Sequence, residues 1–485
     1  MNRRSFLSSA AAGLAAAALG PDVLHAAAAS AGDWTLGVAD VEADLPRRAL
    51  SRLHGRAPAG LSGTLFRNGP AKFHRPGGSA LHWFDGDGMV RAFRIDEGEA
   101  SLAARFLDTP KRRADTAANG VVSAGFGTPH RKGGRGANND DVNPANISVM
   151  QAGGEMWALW ETGSPMAFDP VTLESRGFKT LRPDLARMPF LAHPRVEPGG
   201  RVWNLGVFGQ KAIVWRLAPD GSLEAADPIA LPRASYIHDF TATERHLVIV
   251  LQPWIQDRFA MPFMDSLSWR PDLGTQILVV DKADFSRRRI FEAPSFFFFH
   301  LGDAWEEADG TIRFDAAIDK DPAFAVEGAA ALIVGRDIGA ADSAMALVTL
   351  RPNGSADVVR TGLTGEFPRT DPRFAGRLRR RTVHLTRGAD SHPLMQAVAV
   401  TDWTSGKSEI HDFGPGHIVE EMVFVPRPGG AAEFDGWLVG TTINLTARRT
   451  ELHLFDAGRV AAGPLVSWAA DLALPVTFHG VFVGA

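Results

Sequence analysis

Four histidines sit where an imidazole is costly to leave without a partner. His193 lies in Phe190-Leu-Ala-His-Pro194 and His238 in Ser235-Tyr-Ile-His-Asp-Phe240. His300 follows the phenylalanine run 296–299, and His479 lies in Phe478-His-Gly480, close to the end of the chain. Each ring is set among apolar or aromatic neighbours, where a polar group needs a hydrogen bond or a ligand. One such histidine is more often a satisfied core residue. Four of them, in a chain without cysteine, make a set of neutral nitrogen donors suited to a divalent transition metal. Their separations along the chain form no local motif, so only a fold that returns repeatedly to one place could join them.

The elements between them suggest such a fold. Helix signals are scarce. Short apolar or β-branched runs recur, at 156–160, 247–251, 276–280, 345–350 and 436–441. Turn residues separate them, at Pro219-Asp-Gly221, Asp309-Gly310, Pro352-Asn-Gly354, Pro428-Gly-Gly430 and Asp435-Gly436. Repeated hairpins over most of a 485-residue chain argue an all-β architecture, and a β-propeller more than a single sandwich. In a propeller the inner strand of every blade points at the axis, where ligands from distant segments converge. The tail, Leu474-Pro-Val-Thr-Phe-His-Gly-Val-Phe-Val483, reads as a buried strand that closes the ring and delivers His479 to a metal. No clean repeat sets the blade number, and no linker divides residues 31–485, which are read as one domain.

Composition narrows the partners. The chain is 45% hydrophobic and 22% charged, as expected of a globular protein with a large core. A net charge of −4 gives no support to nucleic acid as a ligand. The one basic cluster, Arg377, Arg379, Arg380 and Arg381, is expected on a solvated strand or loop. Without cysteine there are no disulfides or thiol nucleophiles. Residues 1–30 carry Arg3-Arg4 ahead of a short Ala-rich run and resemble a twin-arginine export signal, which implies a periplasmic location.

The motifs are more specific than the composition. Gly63-Thr-Leu-Phe-Arg-Asn-Gly-Pro70, His82-Trp-Phe-Asp-Gly-Asp-Gly-Met-Val90, His238-Asp-Phe-Thr-Ala-Thr-Glu244, His300-Leu-Gly-Asp-Ala-Trp-Glu-Glu307, Glu421-Met-Val-Phe-Val-Pro-Arg427 and Phe478-His-Gly480 occur in this order. Together they resemble the carotenoid cleavage oxygenases, a family that includes carotenoid, apocarotenoid and lignostilbene dioxygenases. The resemblance covers nearly all of residues 31–485. It implies a seven-bladed β-propeller with loops capping a non-haem Fe(II) site on the axis. It makes His193, His238, His300 and His479 the iron ligands. It places Glu161, Glu366 and Glu421 behind three of these rings, where a carboxylate fixes tautomer and orientation. Glu420 competes with Glu421 for that role. Where relatives often carry Gly before the closing Phe-His-Gly this chain has Thr477, expected to shape the floor of the open site. Asp303 and Met422 are further departures.

Other candidates have plainer readings. His82, His411 and His417 are expected to be structural. Asp85-Gly-Asp-Gly88 begins like a calcium loop, but Val90 stands where glycine is needed and Asp96 where glutamate is needed, which favours a hairpin turn. Gly133-Gly-Arg-Gly136 reads as a loop. The stretch from Trp254 to Trp269 is rich in large apolar groups and is expected either to line a tunnel or core or to touch a membrane.

By this resemblance the reaction is cleavage of a conjugated C=C bond by O2 into two carbonyl products. A carotenoid or apocarotenoid suits a chain with 30 Phe and 12 Trp. A stilbene is the alternative, although the chain has a single tyrosine, Tyr236, with which to hold a phenol. A metal-dependent hydrolase would call for carboxylate ligands, and a scaffold propeller would not need buried Glu beside buried His.

Overall fold

The computed structural model describes residues 33–131, 136, 138–337, 343–388 and 392–485. The export-signal reading and most of the 133–136 loop lie outside the described residues. Seven antiparallel sheets of four or five strands follow one another around a ring, giving a seven-bladed β-propeller. All five apolar runs noted in the sequence are strands: Glu155–Leu159, His246–Leu251, Thr275–Asp281, Ala344–Leu350 and Gly436–Asn444. Their alternation is weak because a blade is covered by its neighbours on both faces, so both sets of side chains are apolar. The contact surfaces between blades form the apolar core, for example Val248, Val250, Ile277 and Val279 against Phe298, Phe314, Ala316 and Val348.

The ring is closed twice. The closing strand His479–Gly484 pairs with Gly63–Pro70 as the innermost strand of the first blade, with His479 opposite Asn68. At the outer edge of the last blade, Ser51–Gly55 pairs with Val466–Ala469. Chain ends normally fray. Here both are held in ladders, and His479 is 5% exposed.

Three innermost strands share an irregularity. Register shifts lie between Phe298 and Leu301, between Glu366 and Arg369, and between Val419 and Met422. These intervals contain or border His300, Glu366, Glu420 and Glu421. A bulge rotates a side chain out of the two-residue alternation. It lets successive residues such as Glu420 and Glu421 both be buried, in different surroundings.

Two expectations need correction. Asp85–Gly88 is not a hairpin turn. It ends a 17-residue-scale excursion between the strands Gly63–Pro70 and Gly88–Asp96, and its aspartates are buried anchors. Asp85 accepts from the backbone N–H groups of Phe126 (2.6 Å), Gly127 (3.0 Å) and Thr128 (2.8 Å), while Asp87 pairs with Lys111 at 3.2 Å and with Arg75. The arginine cluster is solvated only in part. Arg379 is 2% exposed, donates to Asp315 and to the Asp303 carbonyl, and lies 4.9 Å from the Trp305 ring. Burial with a carboxylate and an aromatic face suits a guanidinium, which is weakly hydrated for a cation.

The Trp254 to Trp269 stretch forms a two-stranded hairpin inserted beside the fourth blade, Trp254–Gln256 against Leu267–Trp269. Its base is core: Trp254 is 2% exposed and packs with Tyr236, Phe126 and Phe297. Its tip is not. Phe259 is 94% and Met261 52% exposed.

Candidate metal centre

The four histidines meet on the axis, with one potential ligand atom of each within 4.8 Å of all the others. His193 and His238 precede the inner strands of the third and fourth blades. His300 lies in Phe297–Leu301, and His479 opens the closing strand. Nε2 of His193 is 3.0 Å from Nε2 of His238, and Nε2 of His479 is 3.1 Å from Nε2 of His300.

The other ring nitrogens of three of them face carboxylates. His238 Nδ1 contacts Glu161 Oε1, His300 Nδ1 lies 2.5 Å from Glu366 Oε2, and His479 Nδ1 lies 2.9 Å from Glu421 Oε1. A neutral imidazole that donates through Nδ1 bears a lone pair on Nε2. The Nε2 atoms of His300 and His479 then point lone pairs at one another across 3.1 Å, an arrangement that a cation between them relieves. Metal–nitrogen bonds of about 2.0–2.1 Å place adjacent octahedral ligands about 3 Å apart. The donor set fits a transition metal. Among the described residues no carboxylate contacts His193, so its orientation depends on packing, with its ring 4.5 Å from that of His479.

The electrostatics differ between the pairs. Burial would raise the Glu421 carboxyl, but Arg369 at 3.3 Å, His479 and Arg67 outweigh it and hold it down to about 2. Glu421 also accepts from the Gly480 N–H at 2.8 Å, so its charge is divided among several donors. His479 feels less of that charge, and burial takes it down to about 3. Burial also acts on His300, but Glu366 is less divided and leaves it raised. Burial and the three surrounding rings push His193 well below the ordinary range. His193 and His479 therefore stay neutral and able to ligate.

Glu420, the rival of Glu421, turns elsewhere. It accepts from Thr441 Oγ1 at 2.5 Å, from Thr477 N at 2.5 Å and from Thr477 Oγ1. Thr477 Oγ1 in turn accepts from Arg67 Nε at 2.8 Å. Thr477 does not shape the floor of the open site as expected. Its neighbours Val476 and Phe478 line the cavity, whereas its own N–H and hydroxyl are directed at Glu420 on the inner strand of the last blade. Thr477 ties the closing strand to the last blade instead.

Sequence reading missed several contributors. Arg67 was visible in the Gly63 to Pro70 motif, but its contact with the Glu421 carbonyl at 2.7 Å was not. Phe367 has φ of 55°, unusual for a bulky residue, and its ring stacks on His300 at 4.9 Å. The Tyr236 hydroxyl lies 3.0 Å from Glu161, and burial, reinforced by that carboxylate, holds the phenol well above its usual range. The three set-aside histidines lie elsewhere. His82 Nε2 contacts the Ala325 carbonyl at 2.8 Å, His411 packs against Phe413, and His417 lies 3.9 Å from Glu451.

A cavity opens from His238, His300 and His479. Its wall is mainly apolar, with Trp83, Phe84, Phe299, Phe324 and Leu394 among the lining residues. A second, more polar recess reaches His193 and His479 past Arg369, Thr370 and Asp303. Asp303 there accepts from Arg195 at 3.2 Å and from Thr370, a structural use of this departure from the family pattern.

The chain is similar along most of its length to characterised oxygenases. It is 28% identical to an apocarotenoid-15,15′-oxygenase of Synechocystis, over 92% of this chain and 93% of that protein. It is 26% identical to resveratrol cleavage oxygenase 1 of Aspergillus fumigatus, over 83% and 86%. The structure of cobalt-substituted Synechocystis apocarotenoid oxygenase superposes with a TM-score of 0.84 at 25% identity, covering 93% of this chain and 98% of that one. The family described as retinal pigment epithelial membrane protein, RPE65, matches residues 38–484. With that match extending over the whole propeller and the four-histidine axis at its centre, the chain belongs to the RPE65/carotenoid cleavage oxygenase family of enzymes.

Proposed function

We propose that the protein is an Fe(II)-dependent dioxygenase that cleaves a conjugated C=C bond of an apocarotenoid or carotenoid. The carrying observation is a set of four converging imidazoles at the end of an apolar cavity. His193, His238, His300 and His479 would hold ferrous iron, which would supply activation of O2, a triplet that otherwise reacts slowly with a spin-paired alkene. The balance is simple: both oxygen atoms of O2 enter product, one on each new carbonyl carbon, and no external reductant is consumed.

The side chains position and exclude. Phe84, Phe299 and Phe478 pack edge to face near the histidines, with ring centroids 5.6 and 5.8 Å from that of Phe84, and present a dry aromatic wall to a flat polyene. Glu161, Glu366 and Glu421 hold three rings in the tautomer that leaves Nε2 for the metal. No acid or base is required at the alkene, and the carboxylates at the metal end are already occupied by histidines.

By the family resemblance, a stilbene cleaver would hold its phenol through a tyrosine and a lysine near the tunnel. Among the described residues no tyrosine or lysine lines the cavity, and the Tyr236 hydroxyl is directed at Glu161. This favours a polyene. Purified iron-loaded protein under air is expected to consume one O2 per apocarotenal and release two carbonyl fragments, with hydroxystilbene turned over at least about tenfold less efficiently. Turnover of the stilbene alone would overturn the substrate assignment.

We also propose that the hairpin tip at Phe259 and Met261 rests on a membrane surface, from which a lipophilic substrate would be drawn. Two large apolar groups at 94% and 52% exposure are its support. No helix among the described residues is long and apolar enough to cross a membrane. Phospholipid vesicles are expected to sediment the native protein and to lose most of it when Phe259→Glu and Met261→Glu are combined. Equal sedimentation of both would rule the contact out.

A further inference from the structure

Two cavities reach the four histidines, and they differ in what could travel through them. The first is walled mainly by aromatic and aliphatic side chains and ends on His238, His300 and His479. The second, the polar recess, ends on His193 and His479 and has a volume of about 530 Å³. Gln151, Val196, Pro219 and Pro372 are exposed residues of its wall, so it opens to solvent. Such a volume admits a cation with a shell of about six waters, at about 30 Å³ each.

The walls of the recess are charged, and the charges are paired. Arg195 donates to Asp239 at 2.6 Å and to Asp303 at 3.2 Å. Arg369 donates to the Gly480 carbonyl at 2.5 Å and lies 3.3 Å from Glu421. Two guanidiniums thus stand beside three carboxylates. Of the three, Asp303 alone keeps appreciable exposure, with 16% of its side chain open. Its two oxygens take one donor each, Arg195 and Thr370, whereas a carboxylate offers about four lone-pair sites. Asp303 can therefore still accept from the water shell of a passing cation.

Resting on the assignment of the four histidines as metal ligands, we propose that this recess is the route by which a divalent cation enters and leaves the centre, with His193 as its first ligand. Taking an ion out of water costs several kcal/mol even after the protein relaxes. The apolar cavity would demand that cost before any ligand is reached. In the recess, water is given up only at the histidines, where nitrogen replaces it. His193 suits the first step because it lines the recess and not the apolar cavity. With no carboxylate contacting it among the described residues, its ring turns toward an arriving cation without breaking an ion pair. The division also separates two kinds of traffic, since metal exchanges through one cavity while a polyene occupies the other.

The test exploits the absence of cysteine, which lets a single one be introduced and capped with a bulky maleimide. Gln151→Cys and, separately, Val196→Cys place the cap in the recess, and Phe324→Cys places it in the apolar cavity. Each folded protein is stripped of metal with a chelator. Uptake of Fe(II) and its later release to a chelator are then followed without oxygen. The recess caps are expected to slow uptake and release together by at least about tenfold and to leave the iron bound at equilibrium unchanged, since a blocked path raises the barrier in both directions. The cap at Phe324 is expected to change neither rate by more than about twofold. Asp303→Asn keeps the size of the side chain and an oxygen for Arg195. It is expected to slow uptake about threefold at low salt and to match the native protein at high salt. Uptake slowed by the Phe324 cap, rates unchanged by both recess caps, or recess caps that lower equilibrium iron instead of the rates would each overturn the route. Native metal-free protein that takes up no iron would overturn the ligand assignment and the route with it.

Discussion

His238→Ala is expected to purify as a folded propeller that holds little iron and cleaves nothing. The physical basis is the number of neutral nitrogens. Removing one of four leaves three donors, and the second interaction of His238, with Glu161, disappears with it. Loss of a group that merely orients a ligand costs about 10–100-fold in metal affinity, so loss of the ligand itself is expected to cost more than about 100-fold. The fold should tolerate the change. His238 lies just ahead of the inner strand Thr241–Ala242 rather than in a blade interface, and Glu161 keeps the Tyr236 hydroxyl at 3.0 Å. Elemental analysis after dialysis against iron, circular dichroism and O2 uptake form the comparison. A variant that retains stoichiometric iron and activity would remove His238 from the ligand set.

Deleting the chain from Thr477 onward should do more damage, to the fold as well as to the metal. The closing strand supplies the inner ladder of the first blade, from Gly63 opposite Gly484 to Asn68 opposite His479. It also completes a buried charge network. Without it Glu420 loses the Thr477 N–H and hydroxyl, Glu421 loses His479 and the Gly480 N–H, and Arg67 loses the Thr477 oxygen. Breaking one buried pair from one side costs about 3–5 kcal/mol. Total stabilities of about 5–15 kcal/mol leave little margin for several such losses together with a lost strand. The truncated chain is expected to unfold at a much lower temperature than the full chain, both without metal, or to fail to fold.

His479→Ala separates the two roles of that strand. It retains the ladder, Thr477 and Gly480, and Glu421 keeps Arg67 and Arg369, so metal-free stability should fall far less than in the truncated chain while iron is lost. A truncated chain with native stability and full iron would show that the closing strand is dispensable.

The sequence by itself determined the kinds of atoms available and the kind of element that carries them. Imidazoles amid apolar residues, no cysteine, hairpin turns and the order of the family motifs were sufficient for an all-β ring and for naming the four histidines and three glutamates that the structure brings together in pairs. These are local properties, since hydropathy, β-branching and turn residues act over a few positions. Tertiary structure decided which neighbour each side chain meets. Glu421 and not Glu420 faces His479 because consecutive residues of this inner strand, whose register shifts between Val419 and Met422, point to different sides and meet different neighbours. Thr477 binds the last blade instead of flooring the site because Val476 and Phe478 take the cavity side. Arg379 is buried because Asp315 and Trp305, far away in sequence, are there to receive it.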